Sequence, residues 1–370
     1  MPAQPKRLTI REVAAAAGVS AQTVSRVLNN RPDVSPDTSD RVREIIRQTG
    51  YAPNMLARSL TQGRSHVLGV VAYGLEYFGP SRVVSAIERQ AAEMGYGISL
   101  NLILEPETND VDHVLSTLRS RRVDGIIWAI AEVGNNRAWS ESKGAELGVP
   151  VILVGGTGGR SYPSISIDNA AIGCLATQHL LAGGTRHIGI ITGPLPWWEA
   201  RQRLAGWRQT LESTGRAAEE CLIVEGDWTV SSGEQALYRM VGACPDIDSV
   251  FASNDQMALG VLYAARKLGR RVPQDLAVVG VDNIPEASHF WPPLTTVHQP
   301  LSDAGALAVQ AIDHLIKRAR QPRKAQDTAP EIQLLEPQLI VRESSRPVAA
   351  RAPDQGVRVG EPMASREPLA

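Results

Sequence analysis

Residues 18–30 read GVSAQTVSRVLNN, and within them Gln22 and Arg26 stand four apart, one helical turn, beside the short polar side chains of Ser20, Thr23, Ser25 and Asn29. A Gln amide can meet an adenine edge through two hydrogen bonds, and a guanidinium can meet guanine likewise. Short donors suit phosphate oxygens, which position a helix without specifying sequence. Ala21, Gln22 and Arg26 fall on the exposed N-terminal side of such a helix, opposite the apolar stripe of Val19, Val24, Val27 and Leu28. A second set stands far downstream, at the ends of apolar runs. Asn254 and Asp255 follow DSVFAS, Asp282 and Asn283 follow LAVVGV, and Arg203 lies in the helix after GPLPWW. Carboxylate and amide oxygens accept from hydroxyls, and a guanidinium donates two parallel bonds. The first set suits a nucleic acid; the second suits a small polar ligand.

The elements that must hold the first set are three short helices. Thr9-Ile-Arg-Glu12 is a capping box, which predicts a helix from about Ile10 to Ala17, ended by Gly18. Ser20 caps the next helix, through about Leu28, and the Gly18-Val19 turn forces the two to cross steeply: a helix-turn-helix. Ser35 with Pro36 announces a third, closed by Gly50, whose Val42, Ile45 and Ile46 can cover the first two. Charge agrees. Residues 1–66 hold ten Lys and Arg against five Asp and Glu, a net of +5, so with the chain at -1 the remainder carries -6. A basic head on an acidic body fits a head that meets a polyanion, although a solvated charge run reads the same way on charge alone.

From His66 the pattern changes to short apolar runs alternating with helices. VLGVVA (67–72), YGISLNLI (96–103), VDGIIWAI (123–130) and VPVILVG (149–155) have the continuous hydrophobicity of buried parallel strands, and HIGIIT, CLIVEG, DSVFAS and LAVVGV repeat the rhythm. Two doubly wound lobes follow. Ligands of such sheets bind beyond the carboxyl ends of the strands, here in the cleft between lobes. Trp197 and Trp198 add aromatic surface beside that cleft, and Tyr73, Tyr77 and Phe78 follow the first strand.

Residues 8–71, LTIREVAAAAGVSAQTVSRVLNNRPDVSPDTSDRVREIIRQTGYAPNMLARSLTQGRSHVLGVV, resemble the headpiece of the lactose-repressor/galactose-repressor (LacI/GalR) family of bacterial transcription regulators. GPLPWWEARQRLAGW (193–207), EGDW (225–228), ASNDQMALG (252–260), VVGVDN (278–283) and PPLTTVHQ (292–299) extend the resemblance to about residue 343. It implies an all-α helix-turn-helix headpiece over 1–52, in which Thr9 joins the DNA-binding residues, and a hinge helix and linker over 53–65. There Leu60 would wedge a minor-groove step with Ala57 in close approach beside it. It further implies an α/β, two-lobed, periplasmic-binding-protein-like core of two doubly wound parallel sheets over 66–343. Lobe 1 would take about 66–167 plus 300–325 and lobe 2 about 168–298 plus 326–343, with crossings near Asp168, Gln299 and 325–330. By the same resemblance Arg203, Asn254, Asp282 and Gln299 match positions that bind effector hydroxyls, and Trp228 matches a pocket tryptophan; Tyr77, Phe78 and Trp198 complete the expected effector set. Taken singly, Asp282 also reads as a helix cap, Trp228 as core and Arg203 as the partner of Glu199 one turn away.

Two departures bear on specificity. The lactose-repressor pattern has Tyr-Gln where this chain has Ala21-Gln22, so the operator should differ there, and its pocket aspartate is replaced in the run LVGGTGG, which argues against a galactoside. A carbohydrate, a disaccharide or plant oligosaccharide fragment among them, remains the expected effector, with a purine-responsive corepressor as the runner-up. Residues 344–370 hold four prolines and no apolar period, which predicts a disordered tail without the leucine heptads of tetramer assembly. A homodimer on palindromic operator DNA is therefore expected.

Other classes fit less well. GGTGG matches neither G-x-G-x-x-G nor G-x-x-x-x-G-K-[ST], no G-x-S-x-G is present, and the seven histidines lack metal spacing, so neither an enzyme nor a metal or cofactor is expected. Cys174, Cys221 and Cys244 lie far apart and read as reduced thiols. The opening MPAQPKRLTIREVAAAAG has no apolar run of signal-peptide length and no segment approaches a membrane span, which counts against an exported sugar-binding protein and for the cytoplasm.

Overall fold

The computed structural model describes residues 8–28, 31–51, 64–105, 111–142, 147–156, 162–219, 222–320 and 332–345. The chain divides into two compact units, residues 1–66 and 67–370.

In the N-terminal unit helices run over Ile10–Ala17 (α1), Ala21–Leu28 (α2) and Pro36–Thr49 (α3). The Thr9 amide donates to Glu12 Oε2 at 2.6 Å and the Glu12 amide donates to Thr9 Oγ1 at 3.4 Å, which satisfies two backbone donors that the first turn leaves open. Gly18 ends α1 at φ 64°, a left-handed conformation available to glycine at little cost. Ser20 Oγ accepts the Thr23 amide at 3.1 Å and starts α2. Ser35 behaves otherwise. Its hydroxyl donates to Thr38 Oγ1 at 2.8 Å and makes no bond to the helix backbone, so Pro36 alone marks the start of α3. Val13, Ala14, Ala17, Val24, Val27 and Val42 form the core, with Ile45 and Ile46 packed at its margin.

The second unit holds two six-stranded sheets. The first comprises β1 (Val67–Ala72), β2 (Gly97–Leu102), β3 (Gly125–Ala129), β4 (Val151–Val154), β5 (Ser164–Ile167) and β11 (Ile332–Leu335), in the order β11-β5-β4-β3-β1-β2, with all neighbours parallel. The second comprises β6 (Ile188–Thr192), β7 (Ile223–Glu225), β8 (Ser249–Ala252), β9 (Ala277–Asp282), β10 (Thr295–His298) and β12 (Gln338–Ile340), in the order β12-β10-β9-β8-β6-β7, with only β12 antiparallel. β4 and β9 are buried along their whole length, as central strands covered on both faces must be. YGISLNLI is different. It forms the edge strand β2, and Leu100 and Leu102 remain exposed.

The helices of this unit are α4 (Phe78–Glu93), α5 (Asp112–Ser120), α6 (Trp139–Ser142), α7 (Asn169–Ala182), α8 (Trp198–Ser213), α9 (Val230–Ala243), α10 (Asp255–Lys267) and α11 (Leu301–Ala319). α7 packs on the second sheet although β5 precedes it, and α11 packs on the first although β10 precedes it. The chain thus crosses between lobes at Asp168 and at Gln299-Pro300. The third crossing lies at Glu336-Pro337, between β11 and β12, and not at 325–330, because Ile332–Leu335 pairs with β5 and belongs to the first lobe.

The expected tail boundary also moves. Ser344 and Ser345 are buried: Ser344 Oγ accepts the Thr295 amide at 2.8 Å and donates to the Val278 carbonyl at 2.6 Å, and Ser345 Oγ donates to Thr295 Oγ1 at 2.7 Å. Two hydroxyls thereby bind the segment that follows β12 to the second sheet.

Candidate functional site

The headpiece presents its polar face as the spacing predicts. Gln22 and Arg26 are exposed on α2 while Val24 and Val27 are buried opposite them. Arg26 Nε lies 3.4 Å from Asp33 Oδ2, a surface pair that leaves the guanidinium able to turn outward. Ser20 and Thr23 share a hydroxyl contact of 2.9 Å at the start of α2, Ser25 and Ala21 are half-buried, and Thr9 is engaged in its capping box. Asn29, Ala57 and Leu60 lie outside the described residues.

In the core a cavity of about 390 Å³ lies between the lobes. Tyr77, Phe78, Arg203, Trp228, Asn254, Asp282 and Gln299 all line it, brought together from six separate stretches of chain. Arg203 is its fixed point. Its Nε donates to Asn169 Oδ1 at 2.9 Å, its Nη1 to the Ser253 carbonyl, and its Nη2 to Gln299 Oε1 at 3.3 Å. Gln299 Nε2 in turn donates to Asp282 Oδ1 at 2.5 Å. This placement depends on close helix contact: a Cβ at Gly206 would lie 2.1 Å from the Ala170 carbonyl oxygen, so α8 approaches α7 closely enough for Arg203 to reach Asn169 only because that side chain is absent.

Asn254 is the N-cap of α10, its side-chain oxygen accepting the Met257 amide at 2.8 Å, and its Nδ2 donates to the Trp228 carbonyl at 2.9 Å. It therefore holds Trp228 in place as well as facing the cleft. Trp228 and Asp282 adopt φ 72° and 112°, left-handed values that cost a side-chain-bearing residue free energy and that cluster at binding sites. The Trp228 ring lies where a Cβ on Gly193 would fall, with the Arg203 guanidinium carbon 5.8 Å from its centroid. Burial pushes the Asp282 carboxyl up to about 6, opposed by Arg203 and the bond from Gln299. Burial likewise lowers the Arg203 guanidinium, opposed by Asp282, Glu199 and Asp255.

Trp198 departs from the expected effector set. It is buried and does not line the cleft; Trp197 does, with its ring centroid 5.9 Å from Tyr77, 6.0 Å from Tyr73 and 5.8 Å from Trp228. Trp197 is the extended N-cap residue of α8, whereas Trp198 is already helical, so the two side chains leave the backbone in different directions. Trp197 also joins the lobes: it forms an antiparallel bridge with Val133, and the Trp198 amide donates to the Glu132 carbonyl at 2.9 Å. Glu199 and Asn169 are further lining residues that the site reading missed. The spacing of Glu199 one turn before Arg203 was the available signal, but the two form no direct pair, since Arg203 is committed elsewhere. Asp282 caps no helix; it ends β9. Away from the cleft, His187, Glu219 and Cys244 bring their ligand atoms within 4.8 Å of one another, and His187 Nδ1 lies 3.3 Å from Glu219 Oε1, a pairing that needs no metal.

A helix-turn-helix headpiece joined to a two-lobed α/β core around a polar cleft defines a ligand-responsive DNA-binding regulator. The description "Bacterial regulatory proteins, lacI family" matches residues 9–54, and "Periplasmic binding protein-like domain" matches residues 177–345. The chain is 35% identical to the ribose operon repressor of Escherichia coli (strain K12), over 85% of this chain and 94% of that one. The solved lac repressor dimer bound to operator and the anti-inducer ONPF superposes with a TM-score of 0.79 at 30% identity, covering 92% of this chain and all of that one. The complex of the regulator CelR with cellobiose gives 0.67 at 32% identity, over 91% of this chain and all of that one. The chain belongs to the lacI family of bacterial regulatory proteins. It is a DNA-binding transcriptional regulator and not an enzyme.

Proposed function

We propose that the protein acts in the cytoplasm as a homodimeric repressor that reads a palindromic operator with α2 and releases it when a small carbohydrate binds between the core lobes. Gln22 and Arg26 are the base readers in this account, and Ser20, Thr23 and Ser25 hold phosphates. Support for the compartment is that no helix among the described residues is long and apolar enough to cross a membrane, together with the DNA target.

One observation carries the effector reading. Among the residues lining the cleft, Ser166 Oγ, Glu199 Oε2, Trp228 Nε1 and Gln256 Oε1 are each shut off from solvent without a hydrogen-bond partner among the described residues. Buried polar atoms are ordinarily paired, and an unmet one costs about 1 to 3 kcal/mol. A polyhydroxylated ring donates and accepts at every hydroxyl and so meets acceptors and donors together, while the Trp197 and Trp228 indoles suit its C–H faces. The similar proteins named for ribose and seen with cellobiose support the same class. The aromatic set of Tyr77, Trp197 and Trp228 also suits a nucleobase, and that reading would make the ligand a corepressor. A thermal-shift screen of the full chain with D-ribose, cellobiose, adenine and guanine separates the two, because a ligand of the folded state raises Tm. A rise with a sugar supports the proposal; a rise with purines alone overturns it.

A further inference from the structure

Glu199 stands in the first turn of α8 and lines the same cleft. Its Oε2 has no hydrogen-bond partner among the described residues. Two guanidinium groups lie in its neighbourhood, and neither is spent on it. Arg203 donates to Asn169, Ser253 and Gln299, and Arg137 Nη2 donates to the carbonyls of Ile130 and Val154 at 3.0 and 3.1 Å. The carboxyl is pushed up by burial, opposed first by a bond from its own backbone amide and then by the Arg137 and Arg203 charges. A Cβ on Gly155 would come within 3.2 Å of Glu199 Oε1, so the carboxyl packs this closely against the end of β4 only because Gly155, at φ 77°, carries none. A carboxyl kept in the cleft wall at such cost, with one oxygen left unmet, is suited to a hydrogen-bonding group that arrives from outside the chain.

Charge narrows what that donor is. Glu199, Asp282 and Glu76 all line the cleft, against Arg203 as the lining guanidinium among the described residues. An anionic ligand would meet like charge at short range in a poorly screened space. Resting on the carbohydrate reading above, we propose that Glu199 is a specificity-determining residue: it accepts a hydrogen bond from a hydroxyl of a neutral sugar and bars sugars that carry phosphate or carboxylate.

The alternative is that Glu199 merely helps join the lobes, since it lies beside Arg137 and next to the Trp198 amide that donates across to Glu132. Calorimetric titration of the full chain with D-ribose, D-glucose, cellobiose, cellotriose and D-glucose 6-phosphate, paired with Tm measured without sugar, separates the two roles. Wild type should bind at least one of the neutral sugars and reject the phosphate. Glu199→Gln should bind that same neutral sugar about tenfold or more weakly, because one of the two carboxyl oxygens is replaced by an amide nitrogen that can only donate. Its Tm without sugar should be equal or higher, because a carboxyl buried at a cost has been replaced by a neutral amide. Glu199→Ala should weaken binding at least as much. Unchanged sugar affinity in both variants, or a lowered Tm with unchanged affinity, would overturn the role of Glu199 and leave the carbohydrate reading standing. A wild type silent to every neutral sugar would overturn both.

Discussion

The headpiece and the core prepare for recognition in opposite ways. On α2, Gln22 and Arg26 are exposed and lightly held, Arg26 by a surface contact with Asp33. In the cleft, Arg203 is buried and its guanidinium donates to three separate partners before any ligand arrives. A charge in water needs no partner, and a DNA reader can rely on the phosphate backbone for affinity while loosely held side chains select bases. A charge inside a protein must be compensated at once, so the cleft is built around its guanidinium and only the groups left over are free to select a ligand. Preorganisation is therefore a consequence of burial here.

The sharpest way to break this contrast is to delete the two arginines. Arg203→Ala strands Asn169 Oδ1, Gln299 Oε1 and the Asp282 carboxylate in a buried wall, and should cost the core about 3 to 5 kcal/mol in denaturant unfolding, with loss of sugar binding. A core that unfolds at the same denaturant concentration would show that the network is not structural. Gly206→Ala comes next. Its Cβ meets the Ala170 carbonyl, α7 and α8 must part, and a loss of about 1 to 3 kcal/mol is expected together with weaker sugar binding. Unchanged stability and affinity would mean that the close crossing does not position Arg203.

How much of this was readable from sequence follows the same division. The headpiece was readable almost residue by residue, because Thr9 with Glu12, Gly18 and Ser20 act on their own neighbours and local chemistry is written locally. The central strands were readable as apolar runs. The edge strand β2 was not distinguished from them, since exposure depends on sheet position. The difference between Trp197 and Trp198 turns on where α8 begins, one residue deciding which indole enters the cleft. The third crossing and the burial of Ser344 and Ser345 are tertiary facts: Ile332–Leu335 finds β5, and two serines find Thr295 and Val278, across more than forty residues of chain.

Smaller effects belong to the exposed side of the comparison. Arg26→Ala or Gln22→Ala should relax operator choice at one symmetric position by about 1 to 3 kcal/mol while leaving the unfolding of the core unmoved. An unchanged consensus from selection on random DNA would remove both residues from base reading. A different kind of effect, one of pH, concerns the buried Asp255, which accepts from the Thr296 hydroxyl at 2.6 Å and the Ile284 amide at 2.9 Å. Burial pushes its carboxyl from 3.8 up to about 8. The folded core thus holds this proton more tightly than the unfolded chain, so its contribution to stability is intact below about pH 4 and declines as pH rises from about 4 to 8. Asp255→Asn should flatten the fall of Tm over that window. An equally steep fall in the variant would show that the buried carboxyl does not set it.

Linkage between the two regions is the core of the account. A ligand that bridges Arg203 and Trp228 in one lobe to Tyr77 in the other biases the lobe arrangement, and it alters DNA affinity only through its differential affinity for the arrangements. The direct test is the affinity of the full chain for an operator selected from random DNA, read by fluorescence anisotropy with and without the sugar that raises its Tm. Operator binding should be weaker with sugar, and sugar binding should be weakened by operator by the same factor. Operator affinity that is unchanged by the sugar, or tightened by it, would contradict the account.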